Sequence, residues 1–195
     1  DLHPSRGLGD VYKRQIIDLL LESLDLVGLT SSCLSLGRTE VLDEIIKDEN
    51  LPEFKEKKLR EIISDKSESD LIEWSDTNKV DKKSLGKIIT LMHSYGDIQC
   101  LEKISSFSKL AKNSVENLKA ITEKISHENI HIDMTDFPGF NYHQGLVFSV
   151  HSQNFGFAIA NGGQYSYQKN SEEKRSAIGF DIDLISLLNI KENDK

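Results

Sequence analysis

The chain has 195 residues but only two cysteines, Cys33 and Cys100, far apart and with no second metal ligand beside either. That argues against a disulfide framework and makes a reducing cytoplasm the expected setting. No apolar run approaches the roughly 18 residues that a bilayer span needs. The N-terminus carries basic residues without an apolar run beside them, and Ile16–Leu21 is interrupted by Asp18, so no secretory signal is visible. Positive charge is in deficit: 24 Lys and Arg stand against 32 Asp and Glu, a net charge of −8. A phosphate-tracking nucleic-acid surface depends on Lys and Arg replacing counterions, so nucleic acid is not the expected partner. Phosphate and nucleophile signatures are also missing. There is no Walker A run, no G-x-G-x-x-G around Gly162-Gly163, and no G-x-S-x-G to anchor Ser/His/Asp catalysis. No cofactor is expected.

What is present reads as an ordinary globular chain, 37% hydrophobic and 29% charged. Its length fits one domain, or one domain with a lobe. Residues 1–14 mix Pro4, Gly7 and Gly9 without periodicity and read as a leader, either a cloning or sequencing scar or a native tail. From there Ile16, Leu19, Leu20, Leu24 and Val27 recur at helical spacing, with Gly28 as a stop. Ser32–Leu36 is a short strand ending at Gly37. A long helical block follows. Thr39 is the expected cap of a helix to about Lys47, and Pro52 opens the next, with Phe54, Leu59, Ile62 and Ile63 on one face. Ser67 and Asp70 resemble a capping box leading into Leu71, Ile72 and Trp74. Residues 81–94 and 97–109 read as two helices around Gly96. Asn113 is the expected cap of a last one, striped by Val115, Leu118, Ile121 and Ile125.

After Asn129 the period changes to two. Ile130, Ile132 and Met134 alternate, as do Leu146, Phe148 and Val150, then Phe155, Phe157 and Ile159. The spacing predicts a hairpin turning at Ser152–Asn154, a turn at Gly162-Gly163, a polar loop over 167–176, and a helix from Ile178 to a polar tail at 191–195. The pattern is α+β: a helical insert over about 39–128, then an antiparallel sheet and C-terminal helix over about 130–190.

His127-Glu128-Asn129-Ile130-His131 matches H-E-x-x-H literally. That chemistry needs one continuous helix carrying both imidazoles, and here the helix has run out at Asn129, so a chance match is the better reading and no metal is expected. His151 reads as packing or surface. Gly145, Gly162 and Gly163 are more informative, because glycine inside a strand admits a close neighbour or a ligand. Beside them lie Tyr142, His143, Gln164 and Tyr165. An aromatic wall with a few polar groups suits a small-molecule pocket, and a packed sheet corner fits as well.

The run Gly139-Phe140-Asn141-Tyr142-His143-Gln144-Gly145-Leu146-Val147-Phe148 resembles the histidine-binding strand of histidyl-tRNA synthetases, R-G-L-D-Y-Y-T-G-x-V-F-E. Gly162-Gly163-Gln164-Tyr165 is similar to the family's G-G-R-Y-D, and Gly179-Phe180-Asp181-Ile182-Asp183-Leu184 to its third class II motif. Leu34-Ser35-Leu36-Gly37-Arg38 resembles the strand that opens the family's insert. The resemblance runs over about residues 15–190. It implies a class II synthetase-like antiparallel sheet with a helical insert. It departs where the family handles charge: Pro138 and Ser186 stand in place of arginines, and Gln164 and Ser166 in place of Arg and Asp. That selective loss is similar to the regulatory subunits of ATP phosphoribosyltransferase, which keep the synthetase fold without aminoacylation. The resemblance therefore implies a non-catalytic subunit with no catalytic residues, partnered by a short-form catalytic subunit in the first step of histidine biosynthesis. It also implies histidine feedback and L-histidine as the ligand of a pocket lined by Tyr142, His143, Gly162, Gly163 and Tyr165. The first two class II motifs are not visible, so the chain reads as an N-terminally truncated fragment. A divergent histidyl-tRNA synthetase fragment, or a binding module with another partner, are the alternatives.

Overall fold

The computed structural model describes residues 6–29, 31–136, 143–152, 155–170 and 173–193. Helix α1 (Arg6–Leu26) begins inside the stretch read as a leader and buries Ile17, Leu20, Leu21 and Leu24. It ends in a Schellman motif: Gly28 has φ 86°, its amide donates to the Asp25 carbonyl, and the Leu29 amide donates to Leu24. Strand β1 (Ser32–Arg38) follows and runs through Gly37. A Cβ at Gly37 would collide with the Asp133 carbonyl oxygen, so only glycine lets the two backbones lie this close.

The helical block holds α2 (Glu40–Asp48), α3 (Glu53–Ser64), α4 (Glu68–Asn78), α5 (Lys82–Met92) and α6 (Lys109–Thr122). Their apolar stripes form one core with the sheet, including Val41, Ile45, Leu59, Ile63, Leu71, Ile88, Val115 and Leu118. Four expectations change here. Phe54, expected on the α3 face, is 71% exposed. Thr39 precedes α2 but makes no side-chain cap bond; its Oγ1 instead accepts from the Gly145 amide at 3.0 Å. Residues 97–109 form two short 3₁₀ turns, Ile98–Leu101 and Ile104–Ser106, and the start of α6, not one helix. Ser108, not Asn113, caps α6, accepting from the Ala111 amide at 3.0 Å.

Strands β2 (Tyr95–Gly96), β3 (Ile130–Asp133), β4 (His143–Ser152), β5 (Ala158–Asn170) and β6 (Glu173–Ile182) complete the sheet, and α7 (Leu184–Asn193) closes the described chain. The order is β2-β3-β1-β4-β5-β6. All neighbours are antiparallel except β1 and β3, which are parallel, so the sheet is mixed. The helical block is the long crossover that a parallel pair requires.

The last third differs most from its expected layout. Gly162-Gly163 is not a turn: both lie mid-strand in β5, opposite Phe148 and Val147 on one side and Phe180 and Gly179 on the other. Of the expected loop over 167–176, residues 167–170 and 173–176 are the long ends of β5 and β6, and Ile178 lies in β6, so helix begins only at Leu184. Phe155 and Phe157 precede β5, with Phe157 76% exposed; of the predicted Ser152–Asn154 turn, Gln153 and Asn154 lie outside the described residues. Among the described residues no helix is long and apolar enough to cross a membrane.

Candidate functional site

Strand register sorts the sheet into two faces, because side chains alternate and directly paired residues share a side. One face carries Leu34, Leu36, Phe148, Val150 and Ala160, all buried. The opposite face carries an uninterrupted polar row, Ser35–Ser149–Asn161–Asp181, one residue from each of β1, β4, β5 and β6. Beside it runs a row of small residues, Gly37–Val147–Gly163–Gly179. A Cβ built on Gly179 would meet nothing nearer than Tyr165 Cε1, at 4.0 Å. The space over Gly179 is therefore open, with the Tyr165 ring at its edge.

The polar row continues toward Asp136 and His151. Ser149, 2% exposed, donates from Oγ to Asp136 Oδ2 at 3.3 Å, and its Oγ lies 2.9 Å from His151 Nε2. A hydroxyl has one hydrogen, so while it serves Asp136 it accepts from Nε2–H. A hydrolytic triad needs the reverse: serine donating to histidine, and the carboxylate holding the other ring nitrogen. Here the Asp136 oxygen is 4.0 Å from the same Nε2. The cluster therefore does not have the arrangement that makes a serine nucleophile. With Asp136 and Asp181 at its rim, it suits an ammonium or imidazolium group. Cys33 faces His151 across the β1–β4 pair, and burial pushes its thiol pKa up, so it remains a thiol.

Of the five residues expected to line a pocket, Gly163 and Tyr165 are on this face. Gly162 is on the other, where a Cβ would collide with the Phe148 ring and come within 2.7 Å of the Gly179 carbonyl oxygen, so only glycine leaves room for both. His143 pairs with Tyr165 through the backbone. Tyr142 lies outside the described residues, as does Pro138. The positions read as replaced charge-handling residues have local partners. Gln164 Nε2 donates to Ser176 Oγ at 2.8 Å, and Ser186 Oγ donates to Asp183 Oδ2 at 2.6 Å, capping α7. Ser149, Asn161, Asp181, Asp136 and Gly179 were not anticipated. Their signal was weak: alternation puts Ser149 with His151, but only register adds Asn161 and Asp181. The H-E-x-x-H residues separate as expected. His127 precedes β3 and binds the Ser32 carbonyl oxygen at 3.0 Å, while His131 lies on β3 beside Tyr95, ring centroids 6.4 Å apart. Among the described residues no group of three His, Cys, Asp or Glu is placed to hold a metal.

A family model described as histidyl-tRNA synthetase matches residues 11–187. The ATP phosphoribosyltransferase regulatory subunit of Nitrosomonas eutropha is 30% identical, over 89% of this chain and 46% of its own length. That of Clostridium kluyveri is 28% identical, over 96% of this chain and 51% of its own. The chain thus spans about half the length of the curated relatives it matches. Among solved structures, a histidyl-tRNA synthetase from Nostoc sp. PCC 7120 aligns with a TM-score of 0.77 at 19% identity, over 95% of this chain and 47% of that one. The ATP phosphoribosyl transferase (HisG:HisZ) complex from Thermotoga maritima aligns at 0.67 and 18%, over 92% and 62%. At these identities the structures show the class II synthetase-like fold alone.

Proposed function

The chain belongs to the histidyl-tRNA synthetase family, and from that premise we propose that it acts as a non-catalytic regulatory subunit of ATP phosphoribosyltransferase. In this reading it binds L-histidine on the polar sheet face and biases the activity of a short-form catalytic subunit, the first step of histidine biosynthesis. The relatives named as that regulatory subunit, matching along nearly the whole of this chain, support it. The observation that carries it is the fate of the charge-handling positions. An adenylating site needs fixed cations over the reacting carboxylate and phosphate. Here Gln164 and Ser186 are uncharged and engaged in bonds to Ser176 and Asp183. The amino-acid side of the site has the better-preserved chemistry. The acids Asp136 and Asp181 suit the ammonium, and the open space over Gly179 beside Tyr165 suits a flat imidazole. Histidine acts as an effector in this scheme because a ligand that favours one state of a complex shifts its population by its differential affinity.

The test reconstitutes this chain with a short-form catalytic subunit and measures phosphoribosyl transfer with and without L-histidine. Activity that depends on the chain and falls with histidine is expected. Activity indifferent to the chain, or histidine-dependent ATP–pyrophosphate exchange by the chain alone, defeats the reading. The soluble biosynthetic setting expected for such a subunit is the cytoplasm, checked by fractionation.

A further inference from the structure

We infer that Lys66, at the end of α3 in the helical insert, is a positioning residue for the polar row on the sheet face; the inference rests on that face being the ligand site. Lys66 has φ 53°, a left-handed conformation that a lysine enters only at a cost. Its amide still serves the helix end, donating to the Ile63 carbonyl at 3.1 Å. Its side chain leaves the helix for the sheet. Nζ donates to Asp133 Oδ1 at 3.0 Å and Thr135 Oγ1 at 2.9 Å, lies 2.8 Å from Asp133 Oδ2, and sits 5.3 Å from the Tyr95 ring centroid. Two of the ammonium's three hydrogens are thus placed on Asp133 and Thr135, and its charge lies against both carboxylate oxygens.

The Asp133 carboxylate, 11% exposed, gathers the residues that follow it. Its Oδ1 accepts from the Thr135 amide at 2.9 Å, the Thr135 hydroxyl at 3.0 Å and the Asp136 amide at 3.2 Å. Asp136 emerges from this tight turn with Oδ2 on the Ser149 hydroxyl, which in turn meets His151. A hydrogen-bonded chain therefore runs from the insert, through Lys66 and Asp133, to the two side chains that open the ligand face. Lys66 supplies its only charge neutralisation near Asp133 among the bonds described. Without the ammonium, a mostly buried carboxylate loses its counter-charge, the turn at 133–136 loosens, and Asp136 no longer holds Ser149. The insert thereby reports on the ligand face through a defined contact.

Two variants of the full chain separate this role from general stability. Lys66→Gly removes the ammonium and relieves the left-handed strain, whereas Lys66→Met removes the ammonium and keeps the strain. In both, hydrogen exchange at the Thr135 and Asp136 amides is expected to speed by about tenfold, the worth of a charge-assisted bond. The His151 ring resonances shift, while exchange at Phe148 and Val150 stays as in the wild type. L-Histidine titrated into the same proteins is expected to bind about tenfold more weakly to each variant. Unchanged exchange at Thr135 and Asp136, an equal acceleration at Phe148 and Val150, or unaltered histidine affinity in both variants overturns the positioning role. A wild-type chain that binds no histidine, with the turn still loosening and His151 still shifting in both variants, instead defeats the ligand reading and leaves the contact chain standing.

Discussion

Gly162 and Gly86 answer the same substitution in opposite directions. An alanine methyl at 162 would enter the Phe148 ring and crowd the Gly179 carbonyl, 2.7 Å away. Overpacking of that kind costs about 3 kcal/mol, so Gly162→Ala is expected to lower the urea midpoint strongly. Gly86 lies inside α5 with nothing within 4 Å of a Cβ position. Gly86→Ala is expected to stabilise by about 0.7 kcal/mol through the lost freedom of the unfolded chain, read as a higher midpoint at unchanged slope. The cysteines give a chemical prediction. Burial, with Asp97 and Asp133 nearby, pushes the Cys100 thiol up to about 11, and burial raises Cys33 as well. The thiolate is the nucleophile, so iodoacetamide at pH 8 is expected to label the folded chain far more slowly than the denatured one. Equal labelling rates would contradict the burial argument.

The start of α7 rests on one carboxylate. Asp183 Oδ1 accepts from the Ile185 amide at 3.0 Å and the Ser186 amide at 3.2 Å, and the Ser186 hydroxyl donates to Oδ2. These bonds favour the charged form and hold Asp183 below its ordinary carboxylate value, the Ser186 hydroxyl contributing most. A depressed folded-state pKa stabilises fully above the unfolded value and is lost as pH falls through the folded one. The protection factors of the α7 amides, exchange rates divided into the intrinsic rate at each pH, are therefore expected to be flat near neutrality and to fall only once pH drops below the usual carboxylate range; Asp183→Ala should remove that step. At the other end of the fold, β1 and α2 are tied by Arg38, whose side chain is 7% exposed and whose Nε donates to Glu40 Oε1 at 2.5 Å, where Ser114 of α6 also donates at 2.6 Å. Glu40→Gln leaves that guanidinium buried without its counter-charge. The expected cost is about 2 kcal/mol, below that of a fully buried pair because Glu40 is 24% exposed, and chemical denaturation measures it.

At the scale of the whole molecule, period and caps made the helical block legible. The apolar stripes of α2, α3, α5 and α6 are buried largely as their spacing indicates, since a helix must bury one face wherever it docks. The strands β3 and β4 were legible for the same reason at period two, and β1 from its shortness and its end near Gly37. The β5–β6 ribbon was not. Its outer half, residues 167–170 and 173–176, is polar, and a polar strand is held by backbone bonds to its neighbour, which leave no mark on composition. The glycine pair misled for a related reason: a glycine forced by a ring packed against it looks, in one dimension, like a glycine that bends a turn. Of the candidate site, Gly163 and Tyr165 could be named from sequence. Composition and residue spacing by themselves determined the α+β class and the order of most elements, because those are properties of residues along one chain; the family resemblance of its motifs marked Gln164 and Ser186 as uncharged replacements. Only the tertiary structure decided which face each side chain takes, that Ser35, Ser149, Asn161 and Asp181 form one row, and that Lys66 reaches Asp133 from 67 positions away. Register and packing are relations between distant segments, and a one-residue change in strand pairing would turn every one of those side chains to the opposite side of the sheet.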